Sequence, residues 1–374
     1  VSVRVLPAFV AVIIAVVLAL VLFVPFVARA HRRHGHLGPG RTFLHFAALL
    51  YALGLAAYVL IPLPPTGPGF CAALAHLTPQ WEPLRWLAGL PRPGSAADVT
   101  SLLSYSTVQQ FGFNVLLFVP LGMLARHLAR AGVPLTVLLG FATSLFVELT
   151  QLTGIWFLYP CPYRLFDVDD LLANTLGAAF GSALAPVLRL VSGPAGSDAG
   201  EPRPVGVGRR LLGMVCDALL LWWCGSAVLR ASEVLLRETP WEGTIAARTL
   251  ALWFTPAFAL LLCTVFGRGT TLGQHAVLLR ATRRDGRAPS AQEAVVRWLG
   301  GLGGLAVVQG FLPLLDVPRA GAFVALAWCT IHAFGVTRTH DRRGITGVLA
   351  GLTVKDARED DASLRPPVTR TTPQ

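Results

Sequence analysis

The chain has 374 residues, 54% of them hydrophobic and 14% charged, against about 25% charged residues in a typical soluble domain. With a mean hydropathy of +0.60, it carries more apolar surface than a water-soluble exterior can hide. The formal net charge of +11 does not signal nucleic-acid binding, because no long basic stripe with interleaved aromatics occurs and the arginines sit between apolar runs, where they orient helices in a bilayer.

A bilayer-crossing helix needs about 20 mainly apolar residues. The first such run covers residues 5–28. It is longer and more continuous than the apolar region of a signal peptide, and no small-residue cleavage site follows it. His31, Arg32, Arg33, His34, His36 and Arg41 come next. No Cys or carboxylate accompanies these histidines, so they read as a basic cytoplasmic loop facing anionic lipid, with no metal site. The second run, 42–63, is stopped by Pro64 and Pro65. The connection 64–107 holds Cys71, Trp81 and Trp86, and its middle, 79–90, suits a short interfacial helix. The third, fourth and fifth runs are 108–128, 133–157 and 171–191.

Residues 192–208 are rich in Gly, Pro and charge, which is linker chemistry. Four more runs follow at 211–229, 246–265, 298–315 and 320–336, with a basic polar segment at 268–297. The stretch 291–299 is amphipathic and leads into the eighth run. The expected fold class is all-α, a polytopic integral membrane protein with about nine transmembrane helices, five plus four. A first module spans 1–191, a linker 192–208 and a second module 209–356. The tail, 357–374, is polar and expected to be disordered and cytoplasmic.

Positive charge favours the cytoplasmic side. With the N-terminus outside, Arg32, Arg33 and Arg41, Arg126 and Arg130, Arg203, Arg209 and Arg210, the 268–297 segment, and Arg338, Arg342 and Arg343 all become cytoplasmic. The outer loops then hold the sparser set Arg85, Arg92, Arg164, Arg230, Arg237 and Arg319. The expected localisation is the cell membrane, multi-pass, N-terminus outside and C-terminus cytoplasmic. Cys71 and Cys161 then face an oxidising compartment and form a candidate disulfide. Cys216, Cys224, Cys263 and Cys329 fall within helices and read as core residues.

Ionisable groups at membrane depth are costly and mark function by default. Asn114 lies about two turns into the third run. Glu148 and Gln151, three apart, share a face of the fourth. Asp167, Asp170 and Asn174, spaced by three and four, share a face at the start of the fifth, just after Arg164. In the expected topology these seven residues form one layer near the outer leaflet. In a purely structural reading, Glu148 pairs with Arg164, Asp170 caps the fifth helix, Asp169 only caps, and Asn114 and Gln151 bridge helices. In a functional reading, one arginine neutralises only part of four carboxylates, and the remainder need a raised pKa, a cation or a ligand.

These motifs resemble a known family. The stretch from Asn114 through Val-Leu-Leu-Phe-Val-Pro-Leu to Gly122, then Glu148-x-x-Gln151, then Arg164-Leu-Phe-Asp167-Val-Asp-Asp170-Leu-Leu-Ala-Asn174-Thr-Leu-Gly177 is similar to the VanZ-like family over residues 42–191. The resemblance implies a small helical membrane module, linked in some members to low-level teicoplanin resistance. The second module resembles the RDD family over about 205–356: Arg209-Arg210 with Asp217 opens it, and Thr271-Leu-Gly-Gln-His-Ala-Val-Leu-Leu-Arg280 continues it. Where that family has His-Asp after Arg-Gly-Leu, this chain has Thr346 and Gly347, and Asp341 is the candidate substitute. The resemblance implies transport, in some members sodium/proton exchange.

The expected partners are the lipid bilayer and a cell-wall precursor, lipid carrier or glycopeptide, with no nucleic acid. No cofactor or metal is expected, and no zinc spacing, Walker loop, Rossmann fingerprint or nucleophile elbow occurs. The leading reading is a ligand-binding or envelope-modifying protein. The alternatives are a transporter or cation/proton exchanger using intramembrane carboxylates, an intramembrane enzyme with Glu148 or Asp170 as general base, and a scaffold without a small ligand. Catalysis is left open, because no nucleophile or metal cluster accompanies the carboxylates.

Overall fold

A computed structural model describes residues 6–60, 66–76, 78–89, 105–162, 164–192, 200–315 and 320–359. Among the described residues nine helices are long and apolar enough to cross a membrane. They are α1 (Leu6–His34), α2 (Pro39–Leu60), α3 (Ser106–Leu128) and α4 (Val133–Leu152), then α5 (Val168–Ser192), α6 (Val207–Leu235), α7 (Ile245–Phe266), α8 (Ala291–Phe311) and α9 (Ala320–Arg338). The protein is an all-α, polytopic membrane protein. Arg92, Arg319, residues 193–199 of the expected linker and residues 360–374 of the expected tail lie outside the described residues.

The chain forms two compact units. One comprises Val1–Ala19 with Gly38–Pro194, the other Leu20–Leu37 with Ala195–Gln374. The second half of α1 thus packs with the later helices. Val27 is fully buried there, in a cluster with Cys216, Val277, Leu279 and Val354. The basic residues Arg32 and Arg33, expected in a loop, form the last turn of α1. Basic side chains at a helix C-terminus complement its dipole.

In the first unit the helices are inside out compared with a soluble bundle. The buried residues of α4 are Thr136, Gly140, Ser144, Glu148, Thr150 and Gln151, while Leu138, Phe141 and Phe146 stand exposed. Four of the buried ones recur every fourth position, which is one stripe of a helix. Lipid is as apolar as leucine, so helices in a bilayer associate through small and polar residues that allow close approach. On α5 the inward set is Asn174, Gly177, Ala178, Gly181 and Ser182. A Cβ on Gly177 would lie 2.2 Å from the Val115 carbonyl oxygen, one on Gly181 2.0 Å from that of Val119, and one on Gly122 2.1 Å from that of Ala178. Backbone on both helices leaves no room for a methyl group. Tyr51 of α2 closes the group by donating to the Leu117 carbonyl at 2.9 Å.

Helix α4 ends earlier than its hydropathy implies. Thr153 caps a separate turn, Gly154–Phe157, by accepting from Trp156 N–H. Gly154, Ile155, Trp156 and Phe157 all have positive φ there, a reversal that apolar composition does not reveal. In the second unit α7 and α8 each contain a π-turn, Leu250–Phe254 and Leu299–Gly303. Helix α8 begins at Ser290, which forms a capping box with Glu293, so the amphipathic stretch is its first two turns. Among the described residues two short strands also occur, β1 (Leu279–Arg283) and β2 (Leu352–Asp356), antiparallel with Leu279 opposite Asp356.

The contact between α3 and α5 yields a direct expectation. Gly177→Ala lowers stability by about 1–3 kcal/mol through overpacking, read as a lower unfolding temperature in detergent. Gly54→Ala, with open space around its Cβ, leaves that temperature unchanged or raised.

Candidate functional site

The polar layer of the first unit is built on three helices and one loop. Helix α5 starts at Asp167, whose side chain accepts from Asp169 N–H at 2.8 Å as an N-cap. One turn on, Asp170 accepts from the Asn114 side-chain amide of α3, and Gln110 of the same helix also hydrogen-bonds it. The close glycine contact of α3 with α5 makes this reach possible. Glu148 of α4 is 3% exposed, and its carboxylate accepts the Asp167 backbone N–H at 3.1 Å. Gln151 is buried beside it on the same helix. Asn174 donates to Ser144 Oγ at 2.9 Å, while its own Oδ1, fully buried, meets no donor. Arg164 lies over the Tyr58 ring at 5.8 Å.

The connection before α3 is fastened across this layer. Gln80 N–H donates to the Phe166 carbonyl at 2.8 Å, and Val168 N–H donates to the Gln80 carbonyl at 3.1 Å. The Gln80 side-chain amide reaches Asp167 Oδ1 at 3.3 Å. Asp169 does more than cap: its carboxylate accepts Leu84 N–H at 2.6 Å and Trp86 N–H at 2.9 Å. A short 3₁₀ turn, Arg85–Gly89, stands where an interfacial helix was expected. Trp81 packs on Phe166 at 4.7 Å and Trp86 stacks on Phe111 at 4.5 Å. A disulfide joins Cys71 to Cys161, with a Cα–Cα distance of 5.8 Å. The layer is thus closed by a segment anchored covalently at one point and through backbone hydrogen bonds at several others.

Burial raises the Asp167 carboxyl above its ordinary range. The Asp169 N–H bond opposes this, the nearby Asp169 carboxylate adds to it, and Arg85 draws it down. The arrangement suits a ligand with hydroxyl or amino donors, which carboxylates and amide oxygens accept. Among the described residues no group of three or more His, Cys, Asp or Glu side chains could hold a metal ion.

The second unit separates the two arginines at the start of α6. Arg209 donates to the Val277 and Leu278 carbonyls at 2.7 and 2.6 Å and pairs with Asp356 at 2.7 Å. Asp356 is fully buried and also accepts from the side chain and N–H of Arg358 and from Arg203 N–H. These donors hold its carboxyl well below the ordinary range despite burial. Arg210 turns the other way and donates to the Arg342 and Arg343 carbonyls at 3.1 and 3.2 Å. Asp217 accepts from Thr271 Oγ1 at 2.6 Å and Gly273 N–H at 2.7 Å, which ties α6 to the loop that opens the Leu272–Ala276 turn.

Two sequence expectations are corrected here. Asp341 is no substitute for a buried acid: its side chain is 58% exposed and pairs with His340. The buried carboxylate near the end of the chain is Asp356, in β2, and only the strand pairing reveals it. Among the four cysteines expected in the core, only Cys216 is buried, and Cys224, Cys263 and Cys329 are exposed. In a membrane helix an apolar position faces lipid as readily as protein.

Comparison with known families comes to the same two regions. The VanZ/LLP1 family model matches residues 46–189. The RDD family model matches residues 204–350. No curated protein and no solved structure matches the chain.

The Arg209–Asp356 cluster carries a pH signature. A depressed folded pKa contributes stability above the ordinary carboxylate range and loses it as the pH falls through the folded value. Asp356→Asn therefore unfolds more easily at neutral pH, by about 3 kcal/mol for a broken buried pair. Its deficit relative to wild type starts to shrink as the pH falls below about 4. Detergent-phase unfolding at several pH values reads both effects.

Proposed function

Because the chain joins a VanZ-like module to an RDD-family module, we propose that it is a bacterial cell-envelope protein whose first module binds a cell-wall-related ligand at the outer face of the membrane. The observation that carries this reading is the convergence of Glu148, Asp167 and Asp170 with Asn114 and Asn174 beneath a segment clamped by Gln80, Asp169 and the Cys71–Cys161 disulfide. The carboxylates accept hydroxyl or amino groups of the ligand, Asn114 and Asn174 orient them, and Arg164 meets a carboxylate or phosphate. Cell-wall precursors, their lipid carriers and glycopeptides all present such groups. The VanZ resemblance adds glycopeptide resistance as the phenotype, teicoplanin first.

The arginine distribution and the disulfide support the proposed orientation, since structural disulfides persist in oxidising compartments. The N-terminus is outside, the layer faces outward and the C-terminus is cytoplasmic. Exchange of cations or protons through Asp217 is the weaker alternative. Asp217 already accepts two short hydrogen bonds, and two arginines attract it.

Two experiments test this reading. In a Gram-positive host lacking the gene, wild type raises tolerance to teicoplanin, while Glu148→Gln and Asp170→Asn lose the effect at equal membrane abundance. Full protection by both variants removes the site assignment. In whole cells, a membrane-impermeant maleimide labels Cys71 and Cys161 only after external reduction, and labelling confined to inverted vesicles reverses the orientation.

A further inference from the structure

The second unit contains a cavity of about 390 Å³ lined by residues of α6, α7, α8, α9 and the two turns that follow Thr271 and Gly344. Three charged side chains line it: Arg210, Arg297 and Asp217. Arg210 and Arg297 are each 3% exposed. Their hydrogen bonds go to neutral carbonyls, Arg210 to those of Arg342 and Arg343 and Arg297 to that of Gly269. One guanidinium nitrogen on each, Arg210 Nη1 and Arg297 Nη2, is buried and meets no acceptor. The two cations lie close enough to repel one another, and Asp217 attracts both. Two guanidinium groups against one carboxylate leave an excess of one positive charge in a site largely removed from water, a costly arrangement without a counter-ion.

The remaining walls are mostly apolar, with Met214, Ala218, Leu260 and Leu302 among them. Val215 of α6 and Cys329 of α9 also line the cavity, and both stand exposed on the outside of the unit. The space therefore reaches the surface between these two helices, which in a bilayer is occupied by lipid. On the α8 wall the π-turn Leu299–Gly303 presents the carbonyls of Gly300 and Gly301 to α9, where His332 Nε2 meets the first at 2.7 Å and Trp328 Nε1 donates to the second at 3.1 Å. Such π-turns recur at functional sites.

We propose that this cavity binds an anionic amphiphile, a phosphate headgroup carrying an apolar chain, drawn from the surrounding bilayer. The two free guanidinium nitrogens meet the phosphate oxygens, for which arginine geometry is suited. The chain lies along the apolar walls and leaves between α6 and α9. Asp217 is not a ligand: it holds the Thr271–Gly273 turn in place and offsets one of the two cations. The proposal is independent of the ligand assigned to the first module.

The full chain, purified and delipidated in detergent, is titrated with phosphatidylglycerol, phosphatidylcholine and inorganic phosphate, read by native mass spectrometry and by thermal shift. The expected result is binding of phosphatidylglycerol about tenfold or more tighter than of phosphatidylcholine, with no matching stabilisation by inorganic phosphate. Arg210→Gln and Arg297→Gln each abolish that preference. Ala218→Trp, which keeps both charges and fills the apolar wall, weakens phosphatidylglycerol binding and is the reporter should either arginine variant fail to fold. Asp217→Asn keeps or strengthens the preference. Equal binding of the two lipids overturns the proposal, as does a preference unchanged in the arginine variants or in Ala218→Trp. Equal stabilisation by inorganic phosphate makes this a site for a free anion and overturns the lipid assignment. Loss of binding in Asp217→Asn alone makes it a cation site and overturns the proposal.

Discussion

A buried charge inside a bilayer has no water to turn to, so each one must be met by a group from another part of the chain. That constraint explains why these helices contact one another where they do. Asp170 needs Asn114, Glu148 needs the Asp167 amide, and Asp217 needs the Thr271 hydroxyl and the Gly273 amide. In each case the partner arrives from a different element, so satisfying the charge fixes the packing. Arg209 is the fullest example. Its guanidinium takes two carbonyls at the end of the Leu272–Ala276 turn and the Asp356 carboxylate. It thereby joins α6 to one end of the β1–β2 pair, where Leu279 stands opposite Asp356.

The small residues serve the same constraint. Asn114 has a short side chain, and it reaches Asp170 only because α3 and α5 touch backbone to backbone at Gly122, Gly177 and Gly181. The van der Waals gain of that close contact and the hydrogen bond it permits are not separable contributions, and a methyl group at Gly177 opposes both. The polar stripe Thr136, Gly140, Ser144, Glu148 on α4 follows the same logic from the other side of α5. Its outward face carries leucine and phenylalanine, which cost nothing against lipid.

Much of this was legible in the sequence, because run length and polar residues at helical spacing are strong signals in an apolar background. Glu148, Asp170 and Asn174 stood out for that reason, and the VanZ-like resemblance rested on the same residues. Where the sequence misled, the missing information was spatial. Asp169 was read as a cap because its neighbours in the chain are a helix start, yet its partners are Leu84 and Trp86, 85 and 83 residues away. Asp341 was the candidate to replace the acid missing where Thr346 and Gly347 stand, yet the chain takes positive φ at Asp341 and leaves it at the surface. Asp356 lay in a short polar stretch with no helical period, and only its pairing opposite Leu279 brings it to Arg209. The cysteines show the general difficulty. Apolar character assigns a residue to the membrane but not to the protein side or the lipid side of its helix.

The polar layer of the first module and the cavity of the second carry opposite charge balances, and that difference bears on what each can hold. In the first, carboxylates outnumber the nearby cations, and Asn174 Oδ1 is an acceptor without a donor. A partner there has to bring donors. At the cavity of the second, the unmet groups are Arg210 Nη1 and Arg297 Nη2, and a partner has to bring acceptors and negative charge. A cation pathway through the second module would have to pass Arg210 and Arg297 in a region of low dielectric, where repulsion between like charges is least screened. The same pair favours an anion for the same reason. On the two proposals, fusing the modules does not duplicate one binding chemistry: it places a donor-seeking site and an acceptor-seeking site on a single chain.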